Sequence, residues 1–309
     1  MSAIIFWLIQ LLLLPALSPL LVGFIRKIKA IMQNRRGASI FQPYSDLRKL
    51  FHKDEVISKD ASWIFRATPY LLFAVTILVG AGLPLFSTAA NFFVSDFLVI
   101  IYLLALGTFF LALAGLDVGG AFGGFGSSRE MTVAALTEGG LIFSVLALSI
   151  AAHSANLFDI AKSISTLSLG SFIPVILAFF GFIVALLAET GRFPFDNPAT
   201  HLELTMIHEA MILEYSGKRL ALIEWAAANK LLIFVAMAVN LFFPWGLAGS
   251  LGAAAVIGAL LVFLAKVMVL CLLIAVLESS MAKFRFFRLP DLLFTSFILS
   301  IISIGLIIK

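Results

Sequence analysis

Six ionisable side chains interrupt long apolar runs in this sequence. Glu130 and Glu138 stand eight residues apart in one run, and Glu189 ends another. Lys266 and Glu278 lie in a third, and Asp117 closes a fourth. A charged group near the centre of a bilayer costs at least about 2.5–3.5 kcal/mol on insertion scales, so such residues face a protein interior or a hydrated path. A spacing of eight puts Glu130 and Glu138 near one helical face, about two turns apart, with Arg129 adjoining Glu130. Buried carboxylates hold protons more tightly than exposed ones and buried lysines less tightly, so both types can change charge near neutral pH. The chemistry expected of Glu130, Glu138, Glu189 and Lys266 is therefore a proton or charge relay. For Asp117 and Glu278, close to the ends of their runs, structural pairing is the expected role.

A second concentration of chemistry lies at 191–228, between apolar runs. It carries Arg192, Asp196, His201, Glu203, His208, Glu209, Glu214, Lys218, Arg219 and Glu224. The pair His208-Glu209 opens like a zinc-protease helix, but Ile212 stands where the second histidine ligand would be needed, so no metal site is expected. A docking surface, or the charged rim of a cavity, is the expected use. The glycine-rich GLDVGGAFGGFG (115–126) lacks the G-x-G-x-x-G spacing and a preceding strand, which excludes a phosphate loop and leaves a tight connection. The single Cys271 can form no intramolecular disulfide and cannot alone hold zinc or an iron–sulfur cluster.

The elements that position these groups must be membrane helices. Of 309 residues, 62% are apolar and 12% charged, with mean hydropathy +1.12. Soluble domains carry roughly 25% charged residues, so a water-facing surface cannot be coated. Lipid leaves extended strands with unsatisfied amides, and about 20 apolar residues suffice to span. Eight segments qualify, roughly 3–24, 69–90, 96–116, 131–152, 172–190, 229–247, 252–278 and 289–308, in one all-α polytopic membrane domain. Of the 21 basic residues, 18 fall on odd-numbered connections, chiefly 25–68 and 191–228, and Lys162 alone on the even ones. The bias of Lys and Arg toward cytoplasmic loops then places the odd connections in the cytoplasm and both termini on the far side.

Several motifs together resemble one family. AETGRFPFD (188–196) followed by EYSG (214–217) is similar to the loop of the heel, or quinone-module, membrane component of respiratory complex I. That type of component recurs in energy-converting group 4 NiFe hydrogenases and formate hydrogenlyase. IMQNRRG (31–37) and QPYSDLRKLFHKDEV (42–56) resemble its first cytoplasmic loop, and Arg129 with Glu138 resembles its fourth-helix pair. GLDVGGAFGGFGSSRE (115–130) and ESSMAKFR (278–285) lean toward the hydrogenase and formate-hydrogenlyase branch. One departure is visible: where the family has E-A-E-x-E-L, Ala199, Thr200 and His201 precede Glu203 and Leu204.

The resemblance implies a non-catalytic membrane-anchor and coupling subunit of a prokaryotic inner-membrane oxidoreductase complex. Electron transfer in a cytoplasmic arm would be linked to proton or sodium translocation. Its implied partners are hydrogenase-like large and small subunits, a ferredoxin-like iron–sulfur subunit and antiporter-like membrane subunits, with no nucleic acid. Iron–sulfur clusters and a NiFe centre would sit in those partners and no cofactor in this chain. Arg35 and Arg36 would dock the arm. Arg192, Asp196, Glu203 and Glu214 would rim the cavity, with His201, His208 and Glu209 standing in for missing glutamates. The alternative is a quinone-chamber subunit of an NADH:quinone oxidoreductase.

Overall fold

The computed structural model of the chain describes the backbone of residues 3–8 and all atoms of 9–88, 94–167, 172–196, 206–250, 252–282 and 284–308. It is 76% helical, with no strand among the described residues. Eight of those helices are long and apolar enough to cross a membrane. They are α1 (Ala3–Met32), α3 (Trp63–Ala81), α4 (Phe97–Asp117), α5 (Ala121–Ala152), α7 (Phe172–Glu189), α9 (Gly217–Leu241), α10 (Ala253–Ser280) and α11 (Leu289–Ile308). Three short helices, α2 (Gln42–Phe51), α6 (Leu157–Ile164) and α8 (His208–Ile212), lie between them. Side-chain caps start several of these: Ser62 accepts from Ile64 N, Asp96 from Leu98 N and Asn156 from Phe158 N.

Apolar windows mark what lies in lipid, not where helices end, and several boundaries differ accordingly. α1 continues to Met32, carrying Arg26, Lys27 and Lys29 on turns beyond the segment expected to end at 24. α9 begins at Gly217 rather than 229, so Lys230 is inside a span and not in a connection. The 191–228 stretch is therefore partly helix, in α8 and the first turns of α9. The glycine-rich 115–126 is a connection only at Val118–Gly120; Gly115 completes α4, and Gly123 and Gly126 are inside α5, which starts ten residues before the expected 131. Those glycines serve contact: a methyl on Gly123 would collide with the Gly115 carbonyl, and one on Gly126 with Ala210 and Ile207. Small residues let membrane helices approach closely where water supplies no driving force.

α9 is the most enclosed span and α11 the least. Around α9 pack α1, α3, α7 and α10, while α5, α7 and α11 form a second cluster. Polar side chains hold the spans in register. Pro19 removes the amide that would bond the Pro15 carbonyl, and Trp225 Nε1 of α9 donates to that oxygen at 2.9 Å. Ser18 Oγ donates to Asn229 Oδ1 at 2.6 Å, and Asn229 Nδ2 donates to Thr76 Oγ1 at 3.2 Å, tying α1, α9 and α3.

At the far end of α9 the terminal carbonyls need donors. Lys266 Nζ of α10 supplies them, reaching Val239 O at 3.2 Å, Phe243 O at 3.0 Å and Asn240 Oδ1 at 2.7 Å. Asn240 Nδ2 in turn donates to Pro84 O and Leu85 O, at 2.8 and 2.7 Å. Removing the ammonium leaves three oxygens without this donor, and each buried unsatisfied group costs about 1–3 kcal/mol. Lys266→Met is expected to lower the thermal unfolding midpoint of the detergent-purified protein by several degrees. An unchanged midpoint would show that this cap does not hold α9.

Candidate functional site

A cavity of about 550 Å³ opens at the end of the bundle carrying α2 and α8. Its walls are two-natured. Pro19, Val22 and Ile25 of α1, Leu111 of α4, and Ile223 and Leu231 of α9 are apolar. Arg26, Lys29, Asp46, Arg192, Asp196, His208, Glu209, Glu224 and Glu278 supply charge.

Glu278 is nearly inaccessible and sits between two cations, Lys29 Nζ at 2.7 Å and Arg192 Nη1 at 2.8 Å. This cluster ties α1, α10 and the turn after α7, as the structural pairing expected of Glu278 requires. Asp117 likewise serves the backbone, accepting from Ser62 N at 2.8 Å.

Asp196 is buried at the cavity wall. Its Oδ2 accepts from Ile207 N at 3.1 Å and His208 N at 3.2 Å. The imidazole of His208, 28% exposed, lies between two carboxylates: Nε2 is 3.3 Å from Glu130 Oε1, and Nδ1 is 3.8 Å from Asp196 Oδ2. Gly191, with φ of +58°, makes room, since a methyl there would sit 2.8 Å from His208 Nδ1. Burial alone would push the His208 pKa down. The negative charge of Glu130 and the contacts with Asp196 and Glu130 outweigh it and raise the pKa to about 10. Glu209, beside it, is shifted up by burial and by Asp196, against the pull of His208 and Arg26.

Deeper in the bundle, Lys230 Nζ pairs with Glu189 Oε2 at 2.8 Å and donates to Thr108 Oγ1 at 3.1 Å. Lys230 acts on Glu130 electrostatically, and Glu138 feels both Glu189 and Lys230. Glu138 is half-buried in a crevice of about 300 Å³ on the outer wall, with Tyr102, Leu106, Thr108, Phe109 and Met131. Thr108 thus belongs both to the interior pair and to this lateral crevice. Eight residues advance a helix about 80° beyond two full turns. That rotation lets Glu130 contact His208 while Glu138 opens onto the α4–α5 wall.

The sequence-expected residues separate into groups. Glu130, Asp196 and His208 come together, with Arg192 and Glu209 lining the same cavity; Glu189 and Glu138 continue inward and sideways. Lys266 has no acidic partner among the described residues and serves the end of α9. Glu214 is exposed and does not line the cavity. Its EYSG run builds a staple instead: Tyr215 stacks on Phe65 at 3.9 Å and donates to Phe65 O at 2.9 Å, burial holding its phenol protonated. Ser216 bonds both Val56 N and Val56 O, and Arg219 pairs with Glu55 at 2.6 Å. Arg35 and Arg36 are exposed on the connection after α1. His201 and Glu203 lie outside the described residues. Lys230 and Thr108 were missed as site groups. Lys230 lies where an apolar window begins, and a threonine gives no charge signal.

Fold and site together define an all-helical integral membrane protein whose ionisable groups lead from a cavity at one end to a lateral crevice. The chain belongs to the family described as NADH dehydrogenase, which matches residues 4–308. It is 37% identical to hydrogenase-4 component C of Escherichia coli (strain K12) over 97% of this chain and 94% of that protein. To formate hydrogenlyase subunit 4 of the same organism it is 32% identical, over 96% and 95%. A membrane component of the NADH-quinone oxidoreductase of Anaplasma phagocytophilum (strain HZ) is 29% identical over 72% of this chain and 70% of its own. The fold is also that of a chain in the membrane-bound sulfane sulfur reductase, an archaeal respiratory membrane complex, with TM-score 0.87, 20% identity and coverage of 99% and 100%.

The raised His208 pKa couples folding to pH. Its folded value of about 10 exceeds the ordinary 6.5. The stabilisation is therefore complete below pH 6.5 and is lost as pH rises through 10. The unfolding midpoint is expected to fall across that window, and to fall less steeply in His208→Gln. Parallel pH profiles for the two proteins would refute the charged His208.

Proposed function

We propose that this chain is the membrane-anchor and coupling subunit of an energy-converting complex of the hydrogenase or formate-hydrogenlyase type. The observation that carries this reading is the end-to-end likeness to hydrogenase-4 component C, at 37% identity over 97% of the chain, against 72% coverage by a quinone-oxidoreductase relative. The cavity end, with its basic α1 extension, Arg35 and Arg36, faces the cytoplasm under the positive-inside rule. Both termini then face the other side of a prokaryotic inner membrane. That face docks a hydrophilic arm of large, small and ferredoxin-like subunits, which hold the iron–sulfur clusters and the NiFe centre. This chain's part is to turn a charge change at Asp196 and His208 into a protonation change along Glu130, Glu189 and Glu138. Low dielectric makes each such interaction strong, and coupled sites titrate as a set rather than singly. The crevice at Glu138 passes the change to antiporter-like neighbours that move protons or sodium.

Purified with its neighbouring subunits, the complex is expected to evolve hydrogen from reduced viologen and not to reduce a water-soluble quinone. Quinone reduction without hydrogen evolution would instead make the cavity a quinone chamber. In sealed vesicles, Glu138→Gln is expected to leave the complex assembled while reducing ions moved per electron at least five-fold. Wild-type pumping by that variant would remove Glu138 from the path.

A further inference from the structure

The segment after Asp196 lacks two of the family's glutamates, yet a histidine is brought to the gap between cavity and bundle. His208 is the group that joins the two. Its Nε2 faces Glu130 of α5 at 3.3 Å and its Nδ1 faces Asp196 at 3.8 Å, while the ring lines the cavity. Neither ring nitrogen, nor Glu130 Oε2, makes an aligned hydrogen bond among the described residues. The imidazole is therefore held by charge on both sides rather than locked by directional bonds. Glu278 differs: it accepts an aligned bond from Arg192 and is clasped by Lys29 as well. Two neighbouring groups with ordinary burial but different restraint suit different work, one fixed and one exchangeable.

We propose that His208 is the proton-carrying link of this chain, taking protons from cavity water on the Asp196 side and handing them to Glu130. The inference rests on the coupling reading above and assigns its first step. In that step the Nε2–H bond of the imidazolium breaks as an O–H bond forms at Glu130 Oε1. The products are a neutral imidazole and a neutral carboxyl, and no electrons move. A turn of the ring then presents the bare nitrogen to cavity water, and a proton from there restores the imidazolium. Heavy-atom separations near 3 Å, or one water between, are what such transfers need.

The surrounding charges favour a loaded carrier at rest. Asp196 faces the ring from the turn after α7 and Glu130 from α5, with Glu209 next to it on α8. From α9, Lys230 acts on Glu130, and Glu224 lines the same cavity. Arg192, Arg26 of α1 and Glu278 of α10 complete the cavity's charged lining around it. Histidine is the side chain whose charge such surroundings tune most readily. Here they keep it cationic through the physiological range.

The test separates a carried proton from a fixed charge. His208→Gln removes both, whereas His208→Arg keeps the charge but cannot release a proton under these conditions. In sealed vesicles of the assembled complex driven by reduced viologen, both variants are expected to lower ions moved per electron at least five-fold. A wild-type ratio in His208→Arg would reduce His208 to a fixed counter-charge and overturn the proposal. A wild-type complex that turns over without moving ions would overturn the coupling reading, and this step with it. If the variants do not assemble, the assembled wild type and Glu130→Gln decide. Diethyl pyrocarbonate acylates neutral imidazole, so at pH 8 His208 is expected to react at least ten-fold more slowly than exposed His52, by peptide mass spectrometry. Glu130→Gln is expected to speed His208 acylation at least five-fold. Equal His208 rates in the two proteins would overturn the pairing on which the transfer depends.

Discussion

A charge held away from water must find an opposite charge or a set of dipoles, and that requirement organises this bundle. Moving ions into a low-dielectric interior costs several kcal/mol apiece after relaxation, and attraction repays it only when geometry is good. Each deep charge meets the demand differently. Glu278 is clasped by Lys29 and Arg192, Glu189 by Lys230, and Lys266 by the oxygen acceptors that end α9. Because the partners lie on different helices, satisfying the charges also fixes which helices are neighbours. Neutral polar groups follow the same logic on a smaller scale, as Ser18, Asn229 and Thr76 do across α1, α9 and α3.

Against that background Glu130 and Glu138 stand out as incompletely settled. Glu130 has an ion-pair contact without an aligned bond, and Glu138 opens to an outer crevice. Groups held this loosely can change protonation without breaking the fold, while the clasped Glu278 cannot. The division lets one membrane domain be rigid and titratable at once. It also explains why the cavity sits beside the clasped cluster, whose three elements give it a fixed wall.

Much of this was legible in the sequence. Hydropathy alone yields the number of spans, and carboxylates inside apolar runs mark the interior path. Three things were hidden. Helix ends were misplaced because polarity ends a window without ending a helix, which put Lys230 among connection residues. The 115–126 glycines looked like a turn because composition does not distinguish flexibility from close contact. The partnering of Lys266 was out of reach because its acceptors are backbone oxygens and one amide, which carry no charge pattern. EYSG suggested a cavity rim by resemblance, while its side chains fasten Phe65, Val56 and the turn before α3.

The eight-residue interval between Glu130 and Glu138 has an electrical meaning. At 1.5 Å per residue it spans about 12 Å along α5, against a hydrocarbon thickness of about 30 Å. A unit charge moved between those two positions traverses roughly two fifths of the transmembrane voltage drop, and 100 mV across the whole thickness is worth about 2.3 kcal/mol. The energised state of the cell would therefore bias occupancy of the two carboxylates by a little under 1 kcal/mol per 100 mV, making this short stretch of helix a gauge of membrane polarisation.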